Sequence, residues 1–247
     1  GIGDDSALLT SPTGENIAVS SDMLIENKHF FSGADPKKLG HKALAINLSD
    51  LAAMGAQPIG FNLSIAIPIL DHFWLKEFSD GLFSLADLFN IDLIGGDTTK
   101  GPLCICITIF GSIKKGSAYL RGGARIGDNI WVSGTLGQAR LDVENIKGNI
   151  NLSSKKRKII ENFLHLPNPR VNLGIALKGI ASSAIDISDG LLGDLTHILK
   201  ASKLGATIES EKLPIGDALK DLPRNYQLEF ALNGGDDYEL CFTANIN

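Results

Sequence analysis

The chain has 247 residues, of which 44% are hydrophobic and 21% charged, and its 23 Lys and Arg against 28 Asp and Glu give a net charge of −5. This composition is ordinary for a globular protein and lacks the basic surplus of a nucleic-acid-binding protein. No apolar run reaches the ~18 residues that a membrane-spanning helix needs. We therefore expect neither a nucleic acid nor a membrane as partner.

The first half of the chain alternates between strand and helix patterns. Pro36 stands where a helix can begin, apolar residues then recur with a helical period, and Gly55 is a suitable end. A second amphipathic helix is expected to bury one stripe, namely Phe73, Trp74, Phe78, Leu82, Leu85 and Leu88. The predicted order is strand 17–24, helix 36–54, strand 59–67, helix 73–89, strand 91–94 and strand 103–113.

A Gly- and Lys-rich linker, residues 114–127, separates this half from a second unit. The elements predicted there are strand 130–133, helices near 153–165 and 170–181, strand 184–187, helix 191–201, strand 206–209 and strand 238–242. We therefore predict the α+β class, with two α+β domains over residues 1–113 and 114–247.

The cysteines favour a reducing compartment. Three thiols cannot all pair, and Cys104 and Cys106 alternate on one face of a predicted strand, which favours buried free thiols. A zinc site would need more Cys or His at ligand spacing. We therefore expect a cytoplasmic protein. Because the chain begins at Gly1 rather than Met, we also expect further residues at its ends.

Asp is the unusual residue, with 19 Asp against 9 Glu, and many Asp stand beside Gly or Ser. Each has an ordinary explanation, because short carboxylates favour turns and element ends. Asp50 can be a solvated residue of its helix, Gly95 and Gly96 a bare turn, and Ser188 or Asp189 a helix cap. The Asp-bearing segments are Gly1–Asp5, Ser20–Asp22 followed by His29, Asn47–Asp50, Gly95–Thr99, Asp186–Gly190 and Gly234–Glu239.

Taken together, these six segments favour a binding site over turn chemistry. Carboxylates that converge raise one another's pKa unless cations neutralise them. Oxygen ligands without a His or Cys cluster favour Mg²⁺, which commonly shares its coordination with substrate phosphates. The spacing of a Walker A loop is missing from the sequence. The residues thus permit a magnesium-nucleotide site without establishing one.

In this order the segments resemble the thiamine-monophosphate kinase family, of the superfamily that includes aminoimidazole-ribonucleotide synthetase and selenophosphate synthetase. The resemblance extends from the first residue almost to the last. It rests on GIGDD at 1–5, SDML at 21–24 leading to His29, NLSDLAAMGA at 47–56, LIGGDTT at 93–99, IDISDGL at 185–191 and GGDDYEL at 234–240.

The resemblance implies direct transfer of the γ-phosphate of ATP, the co-substrate, to thiamine monophosphate, with several Mg²⁺ ions. It also implies a homodimer in which the mixed sheets of the N-terminal domains pair, a C-terminal α/β domain, and an ATP site between the domains. The implied metal ligands are Asp5, Ser20, Ser21, Asp22, Asp50, Asp97, Asp186 and Asp189. The implied ATP contacts are Gly96, Asp97, Arg121 and Ser188, and the implied contacts with the thiamine phosphate are His29 and Asp236.

Two positions depart from the family pattern. Asp236 stands where the family usually has Glu, so its side chain is one methylene shorter, and Ser21 stands where Thr is common. Without the resemblance, Arg121 reads as a solvated linker residue and His29 as a surface or core histidine. The alternatives for function are a sister enzyme with another acceptor, such as formylglycinamidine ribonucleotide or selenide, and a non-catalytic regulator that binds magnesium or a nucleotide.

Overall fold

The N-terminal domain is a mixed sheet with two helices on one face. The computed structural model describes residues 4, 6–10 and 14–245, and within them this sheet has five strands in the order β1-β2-β5-β3-β4. Strands β3 and β4 pair in parallel, and the other neighbours are antiparallel. The elements are β1 (Ala7–Thr10), β2 (Glu15–Ile25), α1 (Pro36–Met54), β3 (Gln57–Ile67), α2 (His72–Phe89), β4 (Asp92–Lys100) and β5 (Cys104–Lys114).

Helix α1 has the predicted bounds and is buried on almost every side. Asp35 caps it by accepting from the backbone N–H groups of Lys37 and Lys38 at 2.9 and 3.2 Å. Gly55, at φ 67°, ends it in the left-handed conformation. Almost every residue from Leu39 onward is buried, because α1 packs on the sheet and α2 and also contacts elements of the second domain. A helix with no polar face is typical of such a central position.

The buried stripe of α2 is shorter at both ends than the sequence predicts. Phe78, Leu82 and Leu85 are buried as predicted, but Phe73 is 70% and Leu88 73% exposed. Phe73 precedes Phe78 by five residues, about 1.4 helical turns, so the two point in different directions. The prediction that Phe73 and Leu88 are core residues was wrong.

The sheet has a helix face and an open face. On the helix face, the isoleucines of β5, among them Ile107 and Ile109, are buried. The open face is defined by a row of residues that the strand register aligns from β2 to β4, namely Met23, Cys106, Ser64 and Asp97. Among the described strands, β4 lies at one edge of this sheet and β1 at the other, and all residues of β4 are exposed.

Strand β4 continues through the Gly95–Thr99 segment, although the sequence predicts that the strand ends at Ile94. Gly96 makes this possible: its φ is 149°, and a Cβ there would collide with the carbonyl oxygen of Leu63 on β3. Because Gly96 has no side chain, the two backbones can stay paired beyond it.

The C-terminal domain has an antiparallel sheet, in the order β6-β8-β7 among the described residues, with helices around it. Helices α3 and α7 were not predicted, and residues 206–209, predicted as a strand, are irregular. Neither α3 nor α7 begins with a capping side chain, which removes the usual marker of a helix start. The elements are β6 (Asn129–Val132), α3 (Gln138–Ile146), α4 (Ser154–His165), α5 (Val171–Ala176), β7 (Ala181–Asp186), α6 (Leu191–Ser202), α7 (Arg224–Asn233) and β8 (Leu240–Ala244).

The two domains share a core. Val171, Ala184 and Leu240 belong to the same buried cluster as the apolar residues of α1. Gly174 of α5 lies so close to α1 that a Cβ there would collide with the carbonyl oxygen of Ala52. The α+β class and the mixed first sheet are confirmed, whereas the boundary between residues 113 and 114 stays a prediction. Across the described part of the chain, no helix has the length and apolar character needed to span a bilayer.

Candidate active site

Strand β2 and helix α1 bring three predicted site residues together. Ser20 and Asp22 are in register with the buried Ile109 and Ile107, so they lie on the helix face. The Ser20 hydroxyl donates to Oδ2 of Asp50 on α1. Asp50 is thus a paired residue, and the reading of it as merely solvated is wrong.

Asn47 fixes the neighbouring stretch of β2. Its Oδ1 accepts from the backbone N–H of Asp22 at 3.3 Å, and its Nδ2 donates to the carbonyl of Ala43 at 3.0 Å. Asn47 and Asp50 are one helical turn apart, as the sequence indicated. Together they hold α1 against the strand that carries Ser20 and Asp22.

The C-terminal domain contributes Asp186, at the end of β7. Ser49 of α1 donates to Oδ2 of Asp186 at 2.7 Å, and both residues are buried. This contact places a carboxylate of the second domain beside the helix that carries Asp50.

Ser188 and Asp189 lie on a turn that Asp194 organises from within α6. Oδ2 of Asp194 accepts from three consecutive backbone N–H groups, those of Ser188, Asp189 and Gly190, each at 3.1 Å. Burial raises the pKa of Asp194 to about 6. Helix α6 has no side-chain cap at its start, so the alternative reading of Ser188 or Asp189 as a simple helix cap is wrong.

The three acids of the GGDDYEL segment accept hydrogen bonds from different partners. Asp236 accepts from Lys42 Nζ at 2.6 Å. Asp237 accepts from the backbone N–H of Gly137, and Glu239 accepts two hydrogen bonds from Arg170, at 2.6 and 2.5 Å, and one from Ser133. The loop leaves the extended conformation here, since Asp236 has φ 66° and Tyr238 φ 49°.

Tyr238 lies where the carboxylates of the two domains meet. Burial first, and then the charges of nearby carboxylates, raise the pKa of its hydroxyl well above the usual value. We call these four carboxylates the acidic group: Asp236, Asp186, Asp22 and Asp50. All four also meet helix α1: Asp50 belongs to it, the backbone of Asp22 is bonded by Asn47, Asp186 by Ser49 and Asp236 by Lys42. The structure thus brings two predicted site residues from each domain to one helix.

The donors of the acidic group suit a hard cation. Within the described residues, no three His, Cys, Asp or Glu side chains are close enough to form a ready-made metal cluster. Carboxylate oxygens at wider spacing fit Mg²⁺, which keeps several waters and binds through one or two carboxylates and substrate phosphates. The arrangement fits a shared magnesium and phosphate site better than an all-protein cage.

Three predicted residues lie elsewhere. Ser21 and Asp97 lie on the open face, away from α1: Ser21 Oγ is 2.9 Å from Thr108 Oγ1, and Asp97 is in register with Ser64. Gly96 precedes Asp97 on β4 and is in register with Leu63. Within one chain, neither Ser21 nor Asp97 is brought to the acidic group.

Arg121 begins a short 3₁₀ turn in the linker. Its backbone N–H donates to Asp4 Oδ1 at 3.1 Å, and its carbonyl accepts from Ser202 Oγ at 3.0 Å. The linker is thereby tied to the N-terminal segment and to α6 through the backbone of Arg121, and the role of its guanidinium stays a prediction. Asp5, also predicted as a metal ligand, lies outside the described residues.

His29 and Asp236 line one cavity of about 240 Å³ between the domains. The Nδ1 atom of His29 accepts from the backbone N–H of Ile25 at 3.0 Å, which fixes the ring at the end of β2. We call this space the basic cavity, because five basic side chains line it, namely Lys28, Lys38, Lys42, Arg140 and Lys147, against Asp35 and Asp236.

Sequence reasoning missed Lys42, Ser49 and Asp194. A usable sign existed for Lys42, a charged residue within an apolar stretch of helix. Ser49 and Asp194 gave no such sign, because their partners are a distant carboxylate and a set of backbone N–H groups.

Comparison with known proteins agrees with this architecture. The N-terminal domain of the family described as AIR synthase related protein matches residues 3–113, and its C-terminal domain matches residues 125–245. A thiamine-monophosphate kinase of Buchnera aphidicola (subspecies Acyrthosiphon pisum) is 49% identical over 98% of this chain and 76% of its own length.

Two solved structures are also similar. The thiamine-monophosphate kinase of Stenotrophomonas maltophilia K279a superposes with a TM-score of 0.91 at 43% identity, covering 100% of this chain and 80% of that one. AaThiL complexed with AMPPCP and TMP superposes with a TM-score of 0.92 at 30% identity, covering 99% and 80%. The chain therefore belongs to the AIR synthase related protein family, and within it to the thiamine-monophosphate kinases.

Proposed function

We propose that this protein transfers the γ-phosphate of ATP to thiamine monophosphate, giving thiamine diphosphate and ADP. The observation that carries this function is the meeting of carboxylates from both domains along α1, where Asp186 accepts from Ser49 and Asp236 from Lys42. It lies beside a cavity lined by His29 and Asp236. AaThiL, of the same fold, is complexed with AMPPCP, an ATP analogue, and with TMP, thiamine monophosphate. The function is therefore that of a kinase in thiamine diphosphate synthesis.

The reaction depends more on the alignment of the two phosphates than on a catalytic base. An oxygen of the acceptor phosphate attacks the γ-phosphorus, a new P–O bond forms, and the bond to ADP breaks with its electron pair leaving on ADP. The attacking oxygen is already anionic near neutral pH, so no side chain has to remove a proton. The protein contributes alignment and charge neutralisation, as in other phosphoryl transfers.

We propose that three members of the acidic group, Asp22, Asp50 and Asp186, hold magnesium together with the nucleotide, while Asp236 faces the acceptor. The support for this proposal is the donor chemistry: carboxylate and hydroxyl oxygens, with Ser20 bonded to Asp50 and Ser49 to Asp186. When bound there, Mg²⁺ would neutralise the phosphates of donor and acceptor. Asp189 and the predicted ligand Asp5 belong to the same proposal, and Ser188 and Arg121 are proposed for ATP.

We also propose a homodimer in which the open face and the β4 edge pair with a second copy. Unpaired edge strands favour pairing with another chain, and here β4 is exposed throughout, with Ile94 62% exposed. Other large apolar side chains of this sheet are also exposed, namely Met23, Ile25 and Ile59. Since Asp97 and Ser21 lie on the open face, away from the acidic group of their own chain, we propose that they and the neighbouring Gly96 reach the site of the partner.

The direct test is product formation. Incubated with ATP, Mg²⁺ and thiamine monophosphate, the protein should form thiamine diphosphate and ADP in equal amounts, separated by chromatography. Removal of Mg²⁺ with a chelator should stop the reaction, and excess Mg²⁺ should restore it. No thiamine diphosphate, under conditions in which a known thiamine-monophosphate kinase is active, would contradict the proposed function.

We propose that the protein works in the cytoplasm. Its three cysteines are free thiols, with Cys241 buried and Cys104 and Cys106 partly buried. Unpaired cysteines are typical of a reducing compartment.

A further inference from the structure

Lys42 is a charged residue in the interior of the protein. It lies on α1, and only 4% of its side chain is exposed. Its ion pair within the described structure is with Asp236, at 2.6 Å, and this carboxylate comes from the other domain and is 34% exposed. Burial of an ammonium group is costly, and a single ion pair often fails to offset it. Stability alone is therefore a weak reason for a lysine at this position.

The ammonium group has hydrogen-bond capacity beyond Asp236. Lysine carries three donors, and the described contacts use one of them, toward Oδ1 of Asp236. Lys42 also lines the basic cavity, so its remaining donors can meet a ligand there.

The cavity is positive, although the chain as a whole carries a net charge of −5. Of its two acidic residues, Asp35 is already engaged with the backbone of α1. Two of the rim cations have carboxylates of their own, Lys38 with Glu161 at 3.4 Å and Arg140 with Glu144 at 2.8 Å. Lys42 is the buried cation, and its partner Asp236 belongs to the cavity itself.

The positive charge of the cavity affects a neighbouring histidine. Burial first, and then the positive charges of Lys42 and Lys38, lower the pKa of His165, which also lines the cavity. Asp236 itself belongs both to the lining of the cavity and to the acidic group. An anion bound at Lys42 would thus lie next to the carboxylates proposed to hold magnesium and the nucleotide.

A phosphomonoester is the ligand whose chemistry fits. A compact ammonium surrounded by further basic side chains attracts a phosphate, and the same charges repel a cationic ring such as thiazolium. The acceptor should therefore enter the cavity with its phosphate first.

We propose that Lys42 binds the phosphate group of the acceptor and makes the enzyme select a phosphorylated acceptor over the corresponding alcohol. Asp236 remains one partner of the ammonium, and the phosphate oxygens take the other donors. The inference rests on the proposed function for the identity of the acceptor, but the anion site itself does not depend on turnover.

The test is binding without ATP, measured by titration calorimetry with thiamine monophosphate, thiamine and inorganic phosphate. The unmodified protein should bind thiamine monophosphate more tightly than thiamine. Lys42→Met should weaken binding of thiamine monophosphate by at least about tenfold, as expected for loss of a charge-assisted hydrogen bond. Lys37→Met is the matched control, because Lys37 lies on the same helix, is exposed and does not line the cavity.

A second variant separates direct binding from a role through Asp236. Asp236→Asn removes the negative charge that competes for the ammonium, so inorganic phosphate should bind this variant at least as tightly as the unmodified protein. If Lys42 serves only to position Asp236, both variants should instead lose phosphate binding alike. The measurement on Asp236→Asn remains a test of the proposal even if Lys42→Met does not fold. Circular dichroism would show whether Lys42→Met is folded.

Several results would overturn the proposal. One is unchanged binding of thiamine monophosphate and phosphate in Lys42→Met; another is loss of phosphate binding in Asp236→Asn. A third is an unmodified protein that prefers thiamine. Failure of the proposed function looks different, because no thiamine diphosphate would form although phosphate binding still required Lys42.

Discussion

Ser49 and Asp186 join the two domains through one buried hydrogen bond, in which the hydroxyl donates to Oδ2 at 2.7 Å. Their positions differ by 137 residues in the chain, so the bond forms only when α1 and β7 are both in place. A carboxylate proposed for the active site is therefore oriented by a helix of the opposite domain.

Ser49→Ala should lower the free energy of unfolding by about 1–3 kcal/mol, because a buried carboxylate loses a donor. Urea unfolding followed by circular dichroism measures the change. Ser84→Ala is the control, since Ser84 is an exposed helical serine bonded to a backbone carbonyl, and it should have little effect. Equal stability of the two variants would contradict a structural role for the Ser49–Asp186 bond.

Asp50→Asn and Asp97→Asn should each reduce turnover by about 100-fold or more, since each removes a charge proposed to act on the phosphates. The two residues lie on different sides of the sheet, so in the proposed dimer they serve one site from two chains. Mixing the two inactive variants under conditions of subunit exchange should restore about a quarter of the activity, because half of the dimers are mixed and each has one intact site. No recovery, with exchange demonstrated by labelled subunits, would argue against a shared site.

Asp237 should make stability depend on pH. Burial raises its pKa to about 8, although its hydrogen bonds from Gly137 act in the opposite direction. Between the ordinary carboxyl value of 3.8 and about 8, the folded protein binds more protons than the unfolded chain at this residue, so the free energy of unfolding falls as pH rises.

Asp237→Asn carries no titratable proton and should flatten that dependence. Its stability relative to the unmodified protein should therefore increase from pH 5 to pH 8, by no more than about 1.4 kcal/mol per pH unit. Parallel stability curves for the two proteins would contradict the shifted pKa.

Gly96→Ala should disturb the pairing of β4 with β3, because a Cβ there would collide with the carbonyl oxygen of Leu63. We expect loss of turnover and of the proposed dimer, measured by product formation and by sedimentation. The adjacent Gly95→Ala is the control, since the nearest atom to its Cβ is Asn62 Oδ1 at 3.3 Å and little has to move. If both variants behave alike, the close approach at Gly96 is not what matters.

The order of the Asp segments allowed the family to be predicted. Much of the fold could be predicted from local sequence signals, such as residues suited to the ends of helices. Helix α1 was bounded correctly because Pro36 and Gly55 are chemically suited to its ends. Strand β4 was cut short because Gly95 and Gly96 usually signal a turn, and only the contact with Leu63 shows why they continue a strand. Helices α3 and α7 lack capping side chains and gave no clear start.

The sequence allowed the residues of the site to be predicted, but not their positions relative to one another in space. The convergence of Asp22, Asp50, Asp186 and Asp236 follows from packing between domains, which no local pattern encodes. The separation of Asp97 from that group follows from strand register, and register is set by pairing partners far along the chain. Asp194 was missed because it acts on backbone N–H groups that every residue possesses.

The burial of α1 fixes the distance between Lys42 and Asp50, two residues through which this helix contributes to the proposed site. A helix packed on nearly every side cannot slide or turn without disturbing both domains, so the residues that it carries are held at fixed separations. Lys42 and Asp50 are eight residues apart, about 12 Å along the helix axis. If the acceptor phosphate binds at the first and the nucleotide with magnesium at the second, α1 sets the distance between the two anchoring points, and the reacting phosphates must meet between them.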